Sequence, residues 1–408
     1  MDNVPNEYRH VIVQKSNGSG GLYSSLSGNF DAFGRIRVSN PVTLFDSQNR
    51  YKTNDKFYSN VLSGGSVSYS SSESSVLLNV TTTPGSFSAR ESRFVFNYQP
   101  GKSLLILCTF VMATPQSGLV QRVGYFGSQN GYFVQLNGSS LSIVERSVGV
   151  DNVVSQTIWN TDRLDGTGTS KVTLDITKSQ IFFVDIEWLG VGSVRTGFVI
   201  DGKFINTHIF DHANYINKTY MTTACLPIRY EITNTDGVSG TLKQICSTVI
   251  SEGGHEPKDR LYCVIGPTSG QTMSGTLIPV CSLRLASGRL DAIALLRQVN
   301  VAVNTNNDLA QWQIVLNGTL SGSTWTASTG GSTNVEIDTA ATSISGGTNI
   351  QVNFAQTGNI MSELQSNFYD SQLGRNTFTS TSDVVTLCII GLSMNPKVFW
   401  SMTWSESI

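Results

Sequence analysis

The sequence predicts an all-β protein: two antiparallel β-sandwich domains preceded by an extended N-terminal arm. Three observations carry this reading. Charged residues are only 14% of the 408 residues, against about 25% in an ordinary globular chain. The Lys and Glu that favour helices give way to Ser, Thr, Asn and Gly. Asn-Gly and Asp-Gly pairs punctuate short alternating apolar runs, the pattern of tight antiparallel hairpins, and helical periodicity is nearly absent.

Residues 1–50 read as the arm. They are too long for an ordinary connection and end in Gly28-Asn29-Phe30-Asp31-Ala32-Phe33-Gly34-Arg35-Ile36-Arg37-Val38-Ser39-Asn40-Pro41. Phe30, Phe33, Ile36, Val38, Leu44 and Phe45 are its expected apolar anchors. Arg35 and Arg37 flank Ile36 and project to one side if the segment is extended, where acidic groups of a neighbouring chain could meet them.

The first sandwich is expected over 51–250. Residues 64–75 are Ser-rich and read as a loop or edge. Residues 93–98 and 103–112 read as strands, the second apolar enough to lie centrally. Asn137-Gly138 separates 132–136 from 141–144, and Asp201-Gly202 separates 197–200 from 204–210. In 181–188, Val184, Ile186 and Trp188 alternate with Asp185 and Glu187, giving one buried and one polar face. Residues 251–258 (Ser-Glu-Gly-Gly-His-Glu-Pro-Lys) are the expected linker, and 259–408 the second sandwich. There, Asn317-Gly318 follows the alternating run 312–316. Residues 285–296 come nearest to a helix pattern, which Gly288 interrupts. No internal repeat of fixed period stands out, which disfavours a propeller or solenoid.

Composition excludes several classes. With 27 Lys+Arg against 29 Asp+Glu, the chain lacks the basic surface that nucleic acid or an anionic membrane demands. A 39% hydrophobic fraction is too high for a disordered chain, and no run approaches the ~20 apolar residues of a membrane helix. Residues 1–21 lack the apolar core of a secretory signal. The six cysteines are scattered, without CxxC pairs, as expected of buried free thiols in a reducing compartment.

Catalytic patterns are thin. Asp185 and Glu187 lie two residues apart on one strand, roughly 6–7 Å along it, and retaining glycosidases place two carboxyls about 5–5.5 Å apart. Asp185-Ile186-Glu187 resembles the second half of the Glu-x-Asp-x-Glu strand of laminarinase-like hydrolases, but Phe183 stands where the nucleophile belongs. Asp211-His212 has no candidate nucleophile and no Gly-x-Ser-x-Gly elbow beside it, and reads as a surface pair. His208 and His212 have a helical metal-ligand spacing, yet His208 falls on a strand. Asp162-Arg163-Leu164-Asp165-Gly166-Thr167-Gly168 lacks the ligand density of a calcium loop and reads as a turn. Trp188 and Trp312 read as core. Trp325, Trp400 and Trp404 are read as packing rather than as sugar platforms.

The motif from Gly28 to Pro41, with Thr43-Leu44-Phe45-Asp46-Ser47, resembles the opening of virion structural proteins of tailed phages, marine ones especially, with relatives expected in large DNA viruses. The likeness continues through Glu187-Trp188-Leu189-Gly190-Val191-Gly192, Gly197-Phe198-Val199-Ile200-Asp201-Gly202, Leu226-Pro227-Ile228-Arg229-Tyr230-Glu231-Ile232, Gln244-Ile245-Cys246-Ser247 and Ser251-Glu252-Gly253-Gly254. In the second region 312–317 and Ser343-Ile344-Ser345-Gly346-Gly347-Thr348 carry it. The strand, Asp-Gly turn and return strand of 198–210 also resemble a concanavalin-like (jelly-roll) lectin sandwich. The resemblance implies a non-enzymatic virion component (minor capsid, neck, tail or fibre-associated), located in the particle and assembling through its arm and sandwich edges. Its implied partners are copies of itself and other virion proteins, with no cofactor or metal. The alternative is a surface module binding a host receptor or glycan, and the third reading is the laminarinase-like hydrolase.

Overall fold

Alternating apolar residues build fifteen strands between Val42 and Ser251: β1 (Val42–Gln48), β2 (Phe57–Leu62), β3 (Ser66–Ser70), β4 (Ser75–Val80), β5 (Phe87–Ser92), β6 (Leu104–Val111), β7 (Leu119–Phe126), β8 (Gly131–Asn137), β9 (Ser140–Ser147), β10 (Val150–Ser155), β11 (Gln180–Ile186), β12 (Val194–Ile200), β13 (Lys203–Phe210), β14 (Ile228–Asn234) and β15 (Gly240–Ser251). The structure is a computed structural model, and it describes residues 40–256, 258–304, 308–327, 333–356, 362–363 and 371–407. Among these, one sheet runs β13-β12-β11-β6-β15-β4-β3 with β1 also on β15, and the other runs β10-β9-β8-β7-β14-β5-β2. Every pairing is antiparallel, and the two inner faces bury one continuous apolar core.

Local turn chemistry explains the hairpins. Ile200 pairs with Lys203, so Asp201 and Gly202 form the two-residue turn, both with positive φ (51° and 73°), as a primed turn requires. Asn137 pairs with Ser140, which shifts the turn centre by one residue, to Gly138-Ser139. Asn317-Gly318 makes no hairpin. The strand Leu309–Leu316 pairs with Thr348–Gln356 and Val384–Gly391, and the Asn317 amide instead donates to Asp383 at 2.8 Å.

The chain continues into a second pair of sheets between Arg260 and Ser407. Arg260–Ile265, Lys397–Ser407 and Ile293–Val303 run side by side in one, with Arg260–Ile265 at its end. Ile278–Leu285, Val384–Gly391, Leu309–Leu316 and Thr348–Gln356 form most of the other. Their own core holds Trp312, Trp400 and Trp404. The all-β antiparallel architecture expected from composition and turns is what the structure shows, and the one helical piece among the described residues is the 3-10 turn Gln156–Ile158.

Three expectations are corrected. Residues 93–98 are not a strand, because their partners lie in the second sandwich. Gln372 Nε2 donates to Val95 O at 3.1 Å, Asn97 Nδ2 donates to Ser407 Oγ at 2.9 Å, and the Arg375 amide donates to Arg93 O. Residues 285–296 are a strand end, a turn and a new strand. Ala294 and Leu296 face the second core, whereas Ile293 and Leu295 pack on Val95 of the first sandwich. A strand apolar on both faces blurs its own period. Finally, Leu44 and Phe45, expected as anchors in a neighbouring subunit, are 1% and 4% exposed in their own chain's core. Strand β1 runs along β15, and the Phe45 ring sits 5.8 Å from Phe57 and 4.9 Å from Phe96. Phe30, Phe33, Arg35, Ile36, Arg37 and Val38 lie outside the described residues.

Candidate functional site

Side chains alternate along β14, so Ile228, Tyr230 and Ile232 enter the core while Arg229 and Glu231 emerge on the outer face of the seven-stranded sheet. Cross-strand register sets Arg229 beside Glu91 of β5 and Glu231 beside Arg122 of β7. An ion-pair ladder follows. Arg122 Nη1 donates to Glu231 Oε1 at 2.7 Å, Arg229 Nε to Glu231 Oε2 at 2.8 Å, and Arg229 Nη1 to Glu91 Oε2 at 3.1 Å. Arg375, arriving from the second sandwich, lies 3.2 Å from Glu91 Oε1, which also accepts from Thr377 Oγ1 at 2.7 Å. Burial raises the Glu231 carboxyl, but Arg229 and Arg122 outweigh it and hold the group below its ordinary value.

Aromatic rings floor this ladder. Phe126 and Phe133 pack at 4.3 Å between centroids, and Arg146 lies 5.0 Å from the Phe133 ring. Arg229 stands 5.7 Å over Phe126 and 5.0 Å from Phe378, within cation–π range. Gly124 lies between these side chains, where a Cβ would run into Phe133. Where the ladder meets the second sandwich, a pocket of about 370 Å³ opens, lined by Glu91, Arg229, Arg375, Phe378, Asn130 and Asp291 among others. That volume lies in the range of small-molecule sites.

A second buried cluster staples two loops to β9. His212 Nε2 meets Glu145 Oε1 at 2.6 Å and Nδ1 meets the carbonyl O of Gly192 at 2.7 Å. Both partners are acceptors, so the doubly donating imidazolium fits the site. Tyr132 donates to the same Glu145 oxygen at 2.5 Å, and the His212 ring stacks on Tyr220 at 3.8 Å. Burial pulls the His212 pKa down, but the bonds to Glu145 and Gly192 overcome it and the net shift is upward.

The residues singled out in sequence are scattered among other tasks. His212 pairs with Glu145 rather than Asp211 and is buried, not on the surface. His208 Nδ1 accepts the Asn160 amide at 3.3 Å. Asp185 is ion-paired to Arg195 at 2.7 Å, with burial lifting its carboxyl above the usual range against that pull. Phe183, at the position of the absent nucleophile, packs edge-on to Phe204. Both Asp162 oxygens are committed, to the amides of Leu164 and Ser170 and to Thr169 Oγ1, which makes its segment a turn. No group of three His, Cys, Asp or Glu able to hold a metal occurs among the described residues. Trp312, Trp400 and Trp404 are core, Trp188 packs edge-on to Tyr98, and Trp325 lies 4.2 Å from Arg284. The Glu91–Arg229–Arg375–Phe378 site escaped sequence reading. Its signal was the Arg-Tyr-Glu alternation of β14, two charges on one strand face.

No protein-family model matches the chain, and no curated protein matches it. Solved structures do. Peanut lectin in complex with a 9-residue peptide is 12% identical, covers 52% of this chain and 98% of its own, and has a TM-score of 0.33. The carbohydrate recognition domain of Emp47p is 11% identical over 51% of this chain and 94% of its own, TM-score 0.33. A carbohydrate esterase from Shiga toxin-encoding bacteriophage phi24B is 10% identical over 52% of this chain and 100% of its own, TM-score 0.33.

Proposed function

We propose that this chain is a non-enzymatic structural component of a virus particle, assembling through residues 1–39 and through the edges of its sandwiches. One observation carries the reading: outer strands of the second sandwich display rows of apolar side chains to solvent. On Thr348–Gln356, Ile350, Val352 and Phe354 are 48%, 44% and 60% exposed; on Arg260–Ile265, Leu261 and Ile265 are 65% and 62% exposed. Both are terminal strands in their sheets. An uncovered apolar edge invites another chain. The sequence resemblance to virion proteins supports the same reading.

The test is the mass of the full chain in solution beside a variant lacking residues 1–39, which spares β1, and a Val352→Lys/Phe354→Lys variant. The expected result is a defined oligomer that both changes shrink, and reduced incorporation into particles. A monomer in all three would sink the assembly reading.

A second reading, a surface module that binds a host glycan, is favoured by the pocket at the seam. It predicts saturable sugar binding by the folded full chain.

A further inference from the structure

The strand Arg260–Ile265 ends its sheet and pairs, among the described residues, with Lys397–Ser407 alone. The Gly266 amide donates to Trp400 O at 2.9 Å, and the main-chain groups of an antiparallel strand face alternate sides. Arg260, Tyr262 and Val264 therefore turn their N–H and C=O groups toward Lys397–Ser407. Leu261, Cys263 and Ile265 turn theirs outward, and no described residue meets them. Their side chains are exposed as well, while Tyr262 and Val264 pack on the second core.

Folded proteins protect such an edge with charge, proline or a bulge. Residues 261–265 have none of the three. They read Leu-Tyr-Cys-Val-Ile, and the register runs from Arg260↔Glu406 to Ile265↔Ser401 without a shift. The outer strands β13 and Thr348–Gln356, by contrast, are each broken by a register shift.

A two-fold contact sets a surface against itself, so the surface must complement its own image. This edge does so in one register. Centred on Cys263, antiparallel pairing places Leu261 opposite Ile265 of the second copy, Tyr262 opposite Val264, and Cys263 opposite Cys263. Each outward-facing residue then exchanges both main-chain bonds with its counterpart. Charge agrees. Arg260, the one charged residue of the strand, falls opposite Gly266, which brings no side chain, and far from its own twin.

We infer that the edge of Arg260–Ile265 pairs antiparallel with the same edge of a second copy, about a two-fold axis at Cys263. This rests on the assembly reading and names its partner and register. The sheet continues across the axis, and Leu261, Cys263 and Ile265 join their counterparts in one apolar band on its outer face.

Sedimentation of the full chain over a range of concentrations, with a short bis-maleimide cross-linker, tests this. Hydrogen-bonded residues of an antiparallel pair have Cα atoms about 5.5 Å apart, within reach of that linker. The expected product is a dimer joined Cys263 to Cys263, absent in Cys263→Ser although that variant keeps the mass of the parent. Cys263→Pro removes an outward N–H and none of the bonds to Lys397–Ser407, and should weaken dimerisation about tenfold. Cys263→Lys and Cys263→Glu should each weaken it as much, and an equimolar mixture of the two should recover the pairing, which a folding defect would not do. An oligomer that forms without the Cys263 cross-link and ignores the Pro, Lys and Glu substitutions overturns the edge pairing and leaves the assembly reading standing. Cys263 joined to a different cysteine of a second copy, or only to another protein in particles, overturns it as well. A monomer at every concentration ends both.

Discussion

Arg93 and Asp383, 290 residues apart in sequence, meet at 2.6 Å across the seam between the two sandwiches. Asp383 also accepts from Tyr58 at 2.8 Å and from Asn317 at 2.8 Å, and its side chain is 3% exposed. Asp383→Ala would leave a largely buried guanidinium and a phenol without their partner. The expected loss is about 3–5 kcal/mol, read from urea unfolding of the full chain. Burial first, and then Asp383, push the Tyr58 hydroxyl up to about 12. In Asp383→Asn, ultraviolet titration should find it closer to its ordinary value.

The Glu145–His212 pair sets a pH window. His212 is raised above its ordinary 6.5, so its contribution is complete below that value and lost as pH rises through the folded pKa. Glu145 is pushed up by burial, but bonds from His212 and Tyr132 bring it below its ordinary 4.5. Its contribution is therefore present above 4.5 and lost as pH falls through the folded pKa. The pair helps most between the two ordinary values. Urea midpoints measured across pH 5 to 9 should fall on the alkaline side, and that fall should flatten in His212→Gln.

Strand β1 is part of the core and not a free arm. Phe45→Ala removes a ring packed on Phe57 and Phe96 and should cost about 3–5 kcal/mol. Unfolding of this variant beside the 1–39 deletion checks it. The deletion is expected to leave stability almost unchanged.

The six thiols should separate by reactivity. Cys108, Cys281 and Cys388 are buried, and burial pushes Cys108 and Cys388 to about 12 and Cys281 further still. Cys263 is exposed on an outer strand. Iodoacetamide labelling of native protein followed by mass spectrometry should find Cys263 modified first and the three buried thiols only after denaturation.

What could be read in the sequence was whatever is decided locally. The β12–β13 hairpin was legible because Asp201 and Gly202 fix the turn within four residues. Strand β6 was legible because its apolar run is buried beside β11 and β15. Residues 93–98 misled because their alternation is real while their hydrogen bonds end on residues 372, 375 and 407. The pocket was hidden for the same reason. Thr377 and Glu91 are 286 residues apart, and no spacing rule reaches that far. Leu44 and Phe45 were assigned to the arm because a strand whose partner lies 203 residues on looks, in one dimension, like any extended segment.

That distance has a consequence for biosynthesis. β15 borders β6 on one side and both β4 and β1 on the other, so the eight-stranded sheet cannot close around its centre until residue 251 has left the ribosome. Contacts of such long range form slowly, and domains emerging N-terminus first wait for their last strand. Strand β1, among the first made, is thus held only when β15 arrives.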